Sequence, residues 1–99
     1  MITSFDTTAD VFAKQPSAKK VNKAYLFGSY ARGQADKASD IDLCIEPTDG
    51  FDFFTLGSLA TGLEEELGTS VDIVCGESTF YPKAHKRYLE DRVLIYENS

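Results

Sequence analysis

The sequence has no tryptophan, one histidine, two cysteines and no long apolar run. One imidazole and two widely separated thiols, Cys44 and Cys75, with no CxxC spacing, support neither a zinc site nor a disulfide framework. Both cysteines read as buried thiols of a reducing cytoplasm. No apolar stretch approaches the ~18 residues that span a membrane, and the start, MITSFDTTAD, lacks the basic and apolar regions of a secretory signal. The expectation is a soluble, cytoplasmic protein with no membrane partner. Repeats and low-complexity tracts are absent as well. Basic residues are scarce, ten against sixteen acidic, and the net charge of −6 repels phosphate backbones. Direct binding to nucleic acid is therefore not expected.

What is present fits one globular domain over residues 1–99, with 42% hydrophobic and 26% charged residues. A domain this small builds one modest core and gains from a stabilising ligand or partner. Its charge is uneven: residues 1–37 carry six basic and three acidic side chains, residues 38–99 four and thirteen. The patterning predicts a short helix over 7–14, ended by Pro16, then a strand over 23–27 that stops at Gly28. A helix from Ser29 to about Gln34 follows, with Ser29 as its cap. A strand over 40–46 places Ile41, Leu43 and Ile45 on one face and Asp40, Asp42 and Cys44 on the other. Phe53, Leu56, Leu59, Ala60, Leu63 and Leu67 form the buried stripe of a helix over 52–67, capped by Asp52 and Gly68. A strand over 70–75, a helix over 83–91 and a last extended segment, VLIYE, complete the order. The fold class is α/β, a small mixed sheet with helices packed mainly on one face.

Chemistry concentrates on the strand acids. Asp40 and Asp42 are two apart on one strand, so their side chains leave the same face with Cβ atoms roughly 7 Å apart. Asp72, on a strand of the same pattern, can join them if the two strands are neighbours, about 4.8 Å apart. Two charges about 5 Å apart repel by roughly 3 kcal/mol at an effective dielectric near 20, so the cluster calls for a cation. Oxygen ligands without His or Cys favour Mg²⁺, or Mn²⁺, over zinc. Upstream, GSYARG follows a strand and opens a helix, an arrangement whose free N–H groups hold phosphate. Gly28 permits close approach, Ser29 adds a hydroxyl and Arg32 a guanidinium. A phosphate cradle followed by an Asp-x-Asp strand and a later strand Asp suits two-metal phosphoryl or nucleotidyl transfer.

The run GSYARGQADKASDIDL, with VDIV further on, resembles the minimal nucleotidyltransferase (MNT) family of the DNA polymerase beta-like superfamily, over roughly residues 21–97. The resemblance implies that Asp40, Asp42 and Asp72 are catalytic and bind the metal, Asp72 also helping to deprotonate the acceptor hydroxyl. It further implies nucleotide binding by Gly28, Ser29, Arg32 and Ser39, with ATP as substrate. Members of this length are typically antitoxins paired with a HEPN-domain ribonuclease toxin in a hetero-oligomer, and resemble adenylyltransferases that move AMP onto a tyrosine of that partner. A chain of this length leaves no room for a second substrate domain, so the acceptor is expected on another molecule.

Two functions of different class follow: an Mg²⁺-dependent protein adenylyltransferase, or a non-catalytic antitoxin that silences the toxin by covering it. The intact acids favour the enzyme, because binding alone makes no use of mutually repelling carboxylates. A transferase acting on small molecules is disfavoured by chain length. Among the remaining residues, Phe51, Phe53 and Phe54 read mostly as core, with a patch for a partner, shared with Phe80 and Tyr81, as the alternative. His85 and the run from Glu64 to Glu66 read as solvent-facing.

Overall fold

The computed structural model describes residues 5–33 and 40–98. Helix α1 (Phe5–Lys14) leads through a 3-10 turn (Pro16–Lys20) into strand β1 (Val21–Phe27). Pro16 ends the first helix and starts the turn, a position where its missing N–H costs nothing. Next come the one-turn helix α2 (Gly28–Ala31), strand β2 (Ile41–Pro47), helix α3 (Phe53–Leu67), strand β3 (Val71–Cys75), helix α4 (Pro82–Asp91) and strand β4 (Val93–Glu97). The sheet order is β3-β2-β1-β4. β1 runs antiparallel to β2 and β4, and β2 runs parallel to β3 through the α3 crossover, so the sheet is mixed as expected.

Alternation along the strands divides the sheet into two unlike faces. Ala24, Leu26, Ile41, Leu43 and Ile45 are buried on one face with Phe12 of α1 and Leu59 and Leu63 of α3. Burying each such large aliphatic side chain contributes about 1.5–3 kcal/mol. Asp52 caps α3 by accepting from the Thr55 N–H and hydroxyl, both at 2.8 Å, and Gly68 ends it in the left-handed region at φ 71°. The other face carries Tyr25, Phe27, Asp42 and Cys44. Here α4 lies across the sheet: the Tyr88 ring meets Tyr25 and Phe27 edge-on, at 6.2 and 5.2 Å between centroids. Helices therefore occupy both faces, α1 and α3 the apolar one and α4 part of the other.

Three expectations for single side chains are corrected. Phe53 and Phe54, in the first turn of α3, are each 89% exposed, and of the three only Phe51 packs on the core. Cys75 is exposed at the end of the edge strand β3, whereas Cys44, on the central strand β2, is buried. His85 is half-buried, its ring stacked on Tyr88 and its Nε2 3.6 Å from Glu77 Oε1. No helix among the described residues is long and apolar enough to cross a membrane. Leu63→Ala is expected to cost about 2–5 kcal/mol, while Phe53→Ala changes stability by no more than roughly 0.5 kcal/mol. Chemical denaturation of both variants checks this, and equal losses would contradict the exposed first turn.

Candidate active site

Three strand positions form one row across the polar face. Phe27 is paired with Asp42 across β1 and β2, and Asp42 with Asp72 across β2 and β3. Register partners on adjacent strands have Cα atoms about 5 Å apart and side chains on the same face, so the two carboxylates are neighbours. Asp40 stands at the exposed mouth of β2, where the next residue's N–H donates to the Ser70 carbonyl at 2.9 Å and fixes the strand end. Asp42 is half-buried and Asp72 exposed.

Gly28 completes the row. Its φ of 75° lies where side chains are disfavoured, and a Cβ placed there would run into Asp42 Oδ2, with Asp42 Cγ 3.3 Å away. The backbone of the turn thus touches the carboxylate itself. Burial pushes the Asp42 carboxyl above its ordinary value, the charges of Asp72 and Asp40 push it further, and Arg32 partly offsets them. Among the described residues no group of three or more His, Cys, Asp or Glu side chains is placed to hold a metal ion. The donor set nevertheless fits a hard divalent cation: the groups are carboxylates, two are in register, and each raises the cost of ionising Asp42.

The turn differs in detail from the expectation. Phe27 occupies the cap position of α2 without a side-chain hydrogen bond, and Ser29 lies inside the helix. Arg32, the residue after the helix, has its Nη1 3.1 Å from Asp91 Oδ2 at the end of α4. Its guanidinium is anchored between two helices rather than held out for phosphate alone. Ser39 lies outside the described residues. What the sequence did not reveal is the side of the site built by α4, where Phe80 stacks on Tyr88 at 4.9 Å and meets Phe27 at 5.4 Å. Burial pushes the Tyr88 phenol up, so it remains a protonated donor, beside the buried Cys44 thiol, which burial also pushes up. The i, i+3, i+4 spacing of Ala84, Arg87 and Tyr88 was the available signal, but it could not say which sheet face the helix covers.

Residues 7–99 match the family described as polymerase beta, nucleotidyltransferase. The chain belongs to that family. A Methanocaldococcus jannaschii protein named "Putative protein adenylyltransferase" is 38% identical over 73 residues, 74% of this chain and 77% of its own length. Among solved structures, a chain of a toxin-antitoxin complex with AMP-PNP superposes with a TM-score of 0.71 at 24% identity, covering 92% of this chain and 74% of that one. A chain of the complex between tri-AMPylated Shewanella oneidensis HEPN toxin and MNT antitoxin gives 0.65 at 21% identity, covering 95% of this chain and 73% of that one. These two likenesses establish the shared nucleotidyltransferase fold.

Because the folded state holds the Asp42 carboxyl above 3.8, its value when unfolded, the native protein binds the extra proton, and stability falls as pH rises through that window. The penalty is complete at neutral pH and absent below the unfolded value. Asp42→Asn is expected to raise stability at pH 7, and the gain should shrink as pH approaches the unfolded-state value of the carboxyl. Thermal melts of both proteins across this range check the sign; a variant less stable at pH 7 would contradict it.

Proposed function

We propose that this chain is an Mg²⁺-dependent protein adenylyltransferase that moves AMP from ATP to a tyrosine hydroxyl of a HEPN-domain ribonuclease toxin and so neutralises it. It acts as a single nucleotidyltransferase domain, in the cytoplasm, in a hetero-oligomer with that toxin. The observation that carries this reading is the row Gly28, Asp42, Asp72, in which the Gly28 turn touches one of two registered carboxylates. Asp40, Asp42 and Asp72 would hold Mg²⁺, or Mn²⁺ in its place, and the cation supplies charge neutralisation at the phosphates. The turn at Gly28 and Ser29, with Ser39, binds the phosphates, and Arg32 adds a guanidinium from the end of α2.

In the transfer, the tyrosine Oη attacks the α-phosphorus, the bond to the β-phosphate's bridging oxygen breaks, and pyrophosphate leaves. The hydroxyl proton passes to a carboxylate oxygen of Asp72, which is exposed and therefore accessible to an acceptor on another molecule. A tyrosine with an ordinary pKa near 10 needs such a base at neutral pH. The relatives named as protein adenylyltransferases, and the AMP-PNP and AMPylated-toxin complexes with the same fold, support ATP and the toxin as the two substrates.

The exposed Phe53 and Phe54 favour a second reading, an antitoxin that acts by covering its toxin. Incubating the pair with ATP and Mg²⁺ separates the two: covalent transfer adds about 329 Da per modified tyrosine, one AMP residue from displacement of pyrophosphate. Asp42→Asn should lose at least ~10³-fold in rate, about 4 kcal/mol. A toxin of unchanged mass, neutralised equally well by Asp42→Asn, would instead establish the covering mechanism.

A further inference from the structure

Residues 40–82 carry ten acidic and no basic side chains, and they build β2, α3 and β3, so half of the sheet and the helix that crosses it form an acidic flank. Where β2 and β3 end and α3 begins, the flank holds an apolar groove of about 330 Å³ lined by Pro47, Phe51, Asp52, Phe53, Leu56 and Cys75. Phe53 lines it with its ring largely in water, and the equally exposed Phe54 follows in the same turn. The fold gains little from either ring in this position, whereas aromatic side chains that leave water on contact are what anchor protein interfaces. Asp49, in the turn between Pro47 and Phe51, and Asp52 are both exposed, with Lys20 approaching at Asp52. The groove is thus an apolar cleft in an acidic setting.

Charge decides the occupant. Two such flanks repel one another, which disfavours a second copy docked face to face, and an anionic lipid surface is repelled in the same way. A cationic protein surface with apolar side chains between its charges is what fits. A ribonuclease presents such a surface, because it must hold a polyanion. We propose that the acidic flank and the groove at Phe53 and Phe54 dock the cationic, RNA-binding face of the toxin and take the place of RNA there. This rests on the toxin partner proposed above and adds to it the surface that receives that partner. The position of the groove supports it. Cys75 in the groove and Asp72 are three residues apart on the edge strand β3, about 10 Å, on opposite faces of the sheet. A partner seated in the groove therefore reaches Asp72 around the outer edge of β3. An AMP group that silences a ribonuclease belongs on a tyrosine close to the bound RNA, so the face that docks is also the face to be modified.

The test is calorimetric titration of the purified HEPN-domain toxin, without nucleotide, into the full chain, into the double variant Phe53→Ala with Phe54→Ala, and into Asp49→Lys. The three side chains are exposed, so both variants should melt within about 3 °C of the parent protein. The double variant is expected to bind the toxin at least roughly ten-fold more weakly and Asp49→Lys about three-fold more weakly. Both should keep the parent's gain in melting temperature from AMP-PNP with Mg²⁺, since neither change touches the carboxylates. Binding by the parent should weaken as salt rises, and a ribose-methylated, uncleavable RNA should displace this chain from the toxin. Equal toxin affinity in all three proteins, a parent that binds no toxin, or a toxin that holds RNA and this chain together would overturn the assignment. So would a parent that dimerises through the two phenylalanines or binds anionic vesicles by them. A parent that binds toxin through this surface yet transfers no AMP would support the docking face and overturn the transferase reading alone.

Discussion

The Asp42 carboxylate sits where the backbone of the Gly28 turn, the neighbouring Asp72 and the mouth of β2 converge, and the surrounding structure accommodates that crowding. Ionising it is unfavourable in the folded chain, since burial and two like charges act in the same direction and Arg32 only partly opposes them. Such a carboxylate costs stability, and the proposed cation would offset that cost. Gly28 is obligatory for two independent reasons, its positive φ and the carboxylate against its Cα. The same contact sets the turn at Gly28 directly beside the acids.

Holding this arrangement is the task of the rest of the domain. The apolar face of the sheet, packed under Phe12, Leu59 and Leu63, fixes strand register, and register alone places Asp42 opposite Asp72. A one-residue slip would turn the acids into the core. On the other face, α4 is tied down by aromatic contacts and by Arg92, whose guanidinium lies 4.4 Å above the Tyr25 ring and 3.2 Å from Glu77. That attachment covers the Tyr25 and Phe27 side of the polar face and leaves Asp72 exposed.

Much of this was legible in the sequence because alternation with period two is a strong signal. Ile41, Leu43 and Ile45 on one face imply Asp42 on the other, and the structure agrees; Val71 and Ile73 do the same for Asp72. Asp52 and Gly68 were equally clear as caps, since each has a local chemical reason to be there. What was hidden depends on tertiary position. Helical spacing put Phe53 in the stripe with Leu59 and Leu63, but only the later turns of α3 meet the core and Phe53 is exposed. Ser29 looked like a cap because it follows a strand, yet the helix begins one residue earlier, at Gly28. Arg32 reads as a free cation in the motif, and only the return of α4 shows Asp91 beside it. The side of the site lined by α4 has no motif, because its contacts join residues distant in sequence.

The account stands or falls on where nucleotide and cation meet the chain. A crystal structure with AMP-PNP and Mn²⁺, using anomalous scattering to locate the metal, is the most direct measurement. The account predicts Mn²⁺ held by Asp42 with Asp40 or Asp72, and phosphates running along the Gly28 turn. Mn²⁺ bound away from these carboxylates, or phosphates that do not touch the Gly28 turn, would contradict it.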